Sequence, residues 1–300
     1  MTDLPLDQVR TLLAVVEYGT LDAAARALHV TPSAVSQRVK TLEQLTGRVL
    51  MQRTKPVRLT PSGEVVVRFA RQLTRLEQDT LAELGMTDAG RPTRLPVAVN
   101  ADSLASWFLP PLAAVHEERG VSVELYRADE TTTTSLLREG RVMAAVTSSP
   151  DPVPGCSVRR LGRIRYHAMA SPDFVARWLP EWPATPLRRT IAEVPVVVFD
   201  RTDDLQDRFV RRLTRGRGAS GRRHLVPTSE GFVDAIAAGM GWGLVPVVPP
   251  PRHEPAADLV DLAADSPVDV PLFWQQWRLD SPALVALADA VTAAAAQALA

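Results

Sequence analysis

Ser33, Ser36, Gln37 and Lys40 recur at the i, i+3, i+4, i+7 spacing of one helical face, and the residue types at those positions suit contact with nucleic acid. Hydroxyl and amide groups can bond base edges in a major groove, and an ammonium can neutralise phosphate. Thr31 and Arg38 flank this face, and Arg53, Lys55 and Arg58 follow closely in sequence. Between Thr20 and Thr60 seven bases stand against two acids, a local charge of +5 in a chain whose formal net charge is zero. Lys40 and Lys55 are the only lysines in the chain, and both fall here. Local charge, more than the total, governs attraction to phosphate. A polar face alone is also what an ordinary solvated helix presents, so the surrounding elements decide between the two readings.

Those elements read as a helix-turn-helix with a wing. Leu6 to Tyr18 is periodic in Val9, Leu12, Leu13 and Val16 and is ended by Gly19. Leu21, Ala24, Ala25 and Leu28 form one stripe of a second helix behind Thr20, a residue placed to cap it. After a turn at His29-Val30, Thr31 and Pro32 start a third helix, whose Val35, Val39 and Leu42 face inward and leave the polar face outside. Val49 to Leu59 has strand-like residues flanking a basic turn, Arg53-Thr54-Lys55-Pro56, and predicts a β wing. Thr60-Pro61-Ser62-Gly63 repeats the cap-then-proline signal ahead of a long helix through Leu84. Phe69, Leu73, Leu76 and Thr80 recur along it at alternating spacings of four and three, the pattern of a seam with a second helix; packing on the helix's own domain would use the same stripe.

Gly85 to Arg94 is polar, contains glycine and proline, and reads as a linker. From Leu95 onward strands and helices alternate: a strand to Val99, a helix Ser103–Arg119, a strand from Val121, a helix from Thr131 and a strand Val142–Val146. A second set runs from Val194 to Val247, and an alanine-rich helix, Ser281–Leu299, closes the chain. Two α/β lobes are expected. The length of 300 residues and an apolar fraction of 46% suit a soluble two-domain protein. No apolar run reaches membrane-spanning length, and the N-terminus lacks an export signal, so a cytoplasmic location is expected. The lone Cys156 fits a reducing compartment and excludes a cysteine-built metal site; no metal or cofactor is expected.

The segment AAARALHVTPSAVSQRVKTLEQLTGRVLMQRTKPVRLTPSG resembles the winged helix and linker entry of LysR-type transcriptional regulators, and the resemblance runs from end to end. It implies a winged helix-turn-helix domain over residues 1–60, a linker helix and linker over 61–90, and a two-lobed effector domain of periplasmic-binding-protein type over 91–300. Lobe I would comprise about 91–165 plus 270–300, and lobe II about 166–269. Operator DNA, a homodimer or tetramer and a small effector between the lobes are the implied partners, and RNA polymerase is admitted as a further one.

A finer likeness is to the ArgP/LysG branch, which senses basic amino acids and controls amino-acid export. It rests on Asn100 to Ala105 with Trp107 and Pro110, Asp129-Glu130-Thr131, Val198-Phe199-Asp200 with Asp203-Asp204, Ser229-Glu230 with Phe232, and Leu272-Phe273-Trp274. Tyr126-Arg127-Ala128 departs from the more acidic run of that branch.

The implied effector is L-lysine or L-arginine. Ser103 at a helix start suits an α-carboxylate, while Asp102 beside it reads as the helix cap. Asp129, Glu130, Asp200, Asp203, Asp204 and Glu230 stand at strand ends or helix starts, where such folds place binding groups, and could meet the cations; helix-dipole compensation would use acids there too. Ser229 and Thr147 complete the polar candidates. Trp107 and Trp274 could wall an aliphatic stem or face a guanidinium, although core packing is the commoner use of such rings, and Phe199 is a further effector candidate by the resemblance.

Gly216 to Gly221 matches a dinucleotide fingerprint but follows a helix and precedes a strand, the reverse of what that motif needs; with Arg211, Arg212, Arg215, Arg217, Arg222 and Arg223 around it, a solvated loop is expected. Nucleophile-elbow, phosphate-loop and His-Glu-x-x-His patterns are absent, which disfavours an enzyme. A solute-binding protein would have no use for the N-terminal reader. A regulator with a different effector stays open.

Overall fold

The computed structural model describes residues 3–86, 94–128, 130–247 and 258–299. Three helices open the chain: α1 (Leu6–Tyr18), α2 (Leu21–Ala27) and α3 (Pro32–Thr46). Each start has a local cause. The Thr20 hydroxyl accepts from the Ala23 amide and the Thr31 hydroxyl from that of Ala34, while Pro32 takes the first turn of α3, where no amide donor is required. Val9, Leu12, Val35, Val39 and Leu42 are fully buried together in the small core of this module.

Strands β1 (Met51–Gln52) and β2 (Arg58–Leu59) pair antiparallel as the wing. The helix α4 (Pro61–Glu83) follows at once and is locked to the wing's base: the Thr60 hydroxyl donates to the Val49 carbonyl at 2.7 Å, and the Thr60 amide to that of Leu50 at 3.0 Å. Val66, Val67 and Ala70 bury into the module core, and the Arg75–Asp79 ion pair is sheltered farther along. The opposite side of α4 exposes Val65, Phe69, Leu76, Leu81 and Leu84.

The rest of the chain builds one mixed sheet with helices around it. Its elements are β3 (Arg94–Val99), α5 (Ala101–Ala105), α6 (Leu109–Arg119), β4 (Ser122–Arg127), α7 (Glu130–Arg138), β5 (Ala144–Thr147), β6 (Cys156–Ala170) and α8 (Pro172–Trp178). They continue with β7 (Val196–Val198), α9 (Leu205–Thr214), β8 (Arg223–Leu225), α10 (Ser229–Ala237), β9 (Gly243–Val247), β10 (Val260–Asp261), β11 (Val268–Trp277) and α11 (Pro282–Ala298). The order is β10-β6-β11-β5-β3-β4, with β9 also on β6; β3 is parallel to β4 and β5, and the β6 and β11 pairings are antiparallel. β7 and β8 pair in parallel beside them, tied to Trp242 by a bridge at Val196.

β6 is the spine of this arrangement. Its first part ladders with β11, and its last part carries β9 and β10, so the first lobe (β3 to β5, α5 to α7) and the second (β7 to β9, α8 to α10) hang on one fifteen-residue strand. The expected single helix over Ser103–Arg119 is two helices. Pro110 and Pro111 have no N–H to return to carbonyls one turn back, so α5 stops and α6 restarts with both prolines in its first turn.

The arginines in and after α9 are all exposed, as a solvated stretch requires, and several of them also make contacts within the fold. Arg223 makes two bonds to Asp207 (2.8 and 2.9 Å), Arg212 donates to the carbonyls of Ser266 and Pro267, and Arg222 lies over the Trp178 ring. These guanidiniums staple the second lobe. The Arg223 bonds hold the Asp207 carboxyl below its ordinary range, so this pair stabilises the lobe above the ordinary carboxylate pKa, and that contribution is lost as pH falls through the depressed value.

Candidate DNA-reading face and effector seam

On α3 the polar face stands clear. Thr31, Ser33, Gln37 and Lys40 are exposed and Ser36 is partly so. Thr31 and Ser33 share a hydroxyl contact of 2.9 Å, so Thr31 is spent on capping and on its neighbour. Arg38 leans back toward the Thr11 hydroxyl of α1 at 3.4 Å, away from the other candidates. Arg53, Lys55 and Arg58 are exposed on the wing, and among the described residues neither they nor Lys40 form an ion pair. Unneutralised cations beside a polar helix face make a surface matched to a phosphate backbone and base edges.

The second site lies where the two lobes meet. Asp102, expected as a cap, sits inside α5, whose N-cap position belongs to Asn100. Its carboxylate crosses the seam, accepting from the Ser229 hydroxyl at 2.9 Å and the Tyr166 hydroxyl at 2.7 Å. Burial, with the charge of Asp203 adding to it, pushes Asp102 above the ordinary carboxylate range despite those two bonds. Tyr166 is raised well above its own ordinary value by burial and by the Asp102 charge.

A second tie across the seam comes from Arg127 at the end of β4. It donates to the Pro227 carbonyl at 3.0 Å and lies 5.9 Å from the centre of the Phe199 ring. Ser103 is completely buried, and its hydroxyl, like the Asn100 side-chain oxygen and the Trp107 indole N–H, lacks a partner among the described residues.

The other sequence candidates divide. Asp203 accepts from the amides of Phe199 (2.9 Å) and Leu205 (3.0 Å), and Asp200 from Thr202 and Asp203, so both organise the turn between β7 and α9. Asp204 pairs with Arg208 on the exposed flank of α9. Thr147, at the end of β5, accepts from the Ser149 amide. Trp107 and Trp274 are core residues of the first lobe, each against Phe108, and the Trp274 indole donates to Gln276, so neither presents a free flat wall. Glu130 opens α7 and Glu230 lies in the first turn of α10. Asp129 lies outside the described residues. Tyr166 and Arg127 were not among the sequence candidates; no spacing rule links them to Asp102 or Phe199, which stand far away in the chain.

Residues 6–64 match the family described as bacterial regulatory helix-turn-helix protein, lysR family, and residues 89–296 match the LysR substrate binding domain. The chain belongs to the LysR family. As a LysR-family transcriptional regulator it is similar over its length to proteins of known structure. One is ArgP from Mycobacterium tuberculosis, at 43% identity and TM-score 0.85 with 97% of each chain covered. A second is full-length LysG from Corynebacterium glutamicum with bound effector Arg, at 39% identity and TM-score 0.83, covering 98% of this chain and 99% of that one. The C. glutamicum lysine export transcriptional regulatory protein LysG is 40% identical across 97% of this chain and 98% of its own length. Among the described residues of this LysR-family chain no helix is long and apolar enough to cross a membrane.

Proposed function

We propose that this regulator reads operator DNA through α3 and its wing and is controlled by a basic amino acid, L-arginine or L-lysine, held between the lobes. The observation that carries the effector reading is the Asp102 carboxylate, which crosses the seam on two hydroxyl bonds and is ion-paired to no cation among the described residues. A ligand ammonium or guanidinium supplies the missing charge, and the orphaned Ser103 hydroxyl suits its carboxylate. The bound Arg of the C. glutamicum relative supports the same chemistry. Phe199 and Ser229 meet the seam from the second lobe, the ring under Arg127 and the hydroxyl on Asp102. Glu230, in the first turn of α10, follows Ser229 directly.

The domain division that fits this reading is 1–60 for the reader, 61–90 for the linker and 91–300 for the effector domain, with the lobes parting near 165 and 270. The exposed stripe Val65, Phe69, Leu76 and Leu81 of α4 pairs with a second copy, Leu73 and Thr80 contributing at its edges. The protein acts in the cytoplasm, by binding and without catalysis.

Thermal shift and operator affinity measured with L-arginine, L-lysine, L-histidine and an unrelated carboxylate test the effector. The basic amino acids should shift both readouts, and equal responses to all four would overturn the assignment. On the DNA side, Gln37→Ala should reduce discrimination between operator variants, by about 1–3 kcal/mol at one base position, whereas Lys55→Ala should weaken all DNA alike and lower the salt slope by about one. Competition binding at several salt concentrations separates the two, and an identical response of both variants would remove the division of roles.

A further inference from the structure

Where α4 crosses the effector domain, a cavity of about 300 Å³ opens between the linker helix and the sheet. Arg71 and Arg75 of α4, Arg94 at the start of β3, and Arg141 after α7 contribute to its wall, against Glu17 and Glu124. One of these charges is already matched, Arg75 being paired with Asp79, while Glu124 is bonded only to the neutral Tyr126 hydroxyl, at 2.9 Å. Among the described residues Arg71, Arg94 and Arg141 form no ion pair. Arg71 donates to the Glu139 carbonyl at 2.7 Å, and Arg141 lies over the Tyr126 ring. Burial, reinforced by the like charge of Arg141 against the opposing pull of Glu17, holds Arg71 below its ordinary range. Trp277 also lines the cavity, and its buried indole N–H has no acceptor among the described residues.

A wall rich in donors and poor in acceptors is complementary to an anion, and guanidinium forks match oxyanions in geometry as well as charge. We propose that this cavity is a second ligand site, separate from the seam, that binds a small oxyanion of the phosphate or carboxylate type through Arg71, Arg94 and Arg141. With Arg75 set against Asp79, the three remaining arginines exceed the two glutamates of the wall by one, an excess that an anion balances, and the volume admits a small metabolite and no more than that. Arg94 begins β3, whereas the seam lies beyond that strand's other end, so the two ligands do not compete for space.

The test is calorimetric titration of the full-length protein with inorganic phosphate and, separately, with succinate, against chloride at equal ionic strength. Saturating L-arginine is present, so that carboxylate binding in the seam does not contribute. Saturable binding of either anion, weakened about tenfold or more by Arg141→Gln and by Arg71→Gln but unchanged by Arg188→Gln on an exposed surface, is the expected result. The tighter of the two anions identifies the source. Arg141 is exposed at the rim, so its variant decides the matter if loss of Arg71 unfolds the chain. No saturable binding, or binding that both cavity variants retain, overturns the proposal. Because the site stands apart from the seam, a chain that ignores L-arginine can still bind the anion, and the reverse.

Discussion

Asp102→Asn should leave the protein folded and abolish its answer to basic amino acids, with L-arginine binding weakened by about a hundredfold or more. Removing one member of a buried, hydrogen-bonded charge pair costs about 2–5 kcal/mol, and a hundredfold change lies within that span. Asn keeps the shape and can still bond the Ser229 and Tyr166 hydroxyls, so the lobes retain their tie. Stability should move in the opposite direction from binding. The raised Asp102 carboxyl means that the folded chain holds a proton more tightly than the unfolded one, so this group's contribution to stability declines as pH climbs from the ordinary carboxylate value through the raised one. Asn removes that slope. Thermal unfolding across that pH range, with and without L-arginine, checks both halves; a variant that still responds to L-arginine like the parent would show that Asp102 is only a structural tie.

Gly63→Ala should unfold or detach the DNA-reading module. A Cβ at this position would lie 1.9 Å from the Leu50 carbonyl oxygen, a backbone atom that also receives the Thr60 amide. Relief requires the wing and α4 to separate, and overpacking of this kind costs about 3 kcal/mol. Gly47→Ala is the useful comparison: its added methyl meets nothing within 4 Å, leaving a left-handed backbone as the only cost, about 1–2 kcal/mol. Unfolding midpoints and operator binding of the two variants should rank accordingly. A Gly63→Ala protein with the parent's midpoint and affinity would contradict the close approach described here.

The N-terminal module was legible because its signals are local. Thr20, Thr31 and Thr60 each bond the amide three residues on, and Pro32 and Pro61 each stand in a first turn, so caps alone place α2, α3 and α4. The longest strand was not legible. In β6 the alternating buried positions Ile164, Tyr166, Ala168 and Ala170 are preceded by Leu161, out of step with them, and Arg159, Arg160, Arg163 and Arg165 mask the pattern. Two of those arginines are bonded to remote acids, Arg165 to Asp269 and Arg159 to Asp289, which a local reading does not see.

The effector seam was half legible for the same reason. Phe199, Ser229 and the acidic turn after β7 could be named from their positions at strand ends. Asp102 looked like a cap because a strand precedes it, and its true partners stand in other elements. Asp200 and Asp204 are acids with local work, in a turn and on an exposed helix flank, and composition does not distinguish that from waiting for a ligand.

The helix α7 runs from the strand end at the seam to the linker helix. Its nine residues, about 13 Å of helix, start after the strand that brings Arg127 to the seam and end under α4, where Arg68 and Arg71 donate to the carbonyls of Arg138 and Glu139 and Gly140 lies close against the Arg68 backbone. A rod gripped at its far tip transmits axial motion without needing a continuous chain of moving side chains. Tightening of the cleft would therefore arrive at the linker as a push or a twist on two guanidinium grips, and the oligomer geometry presented to the operator would be set by a lever one short helix long.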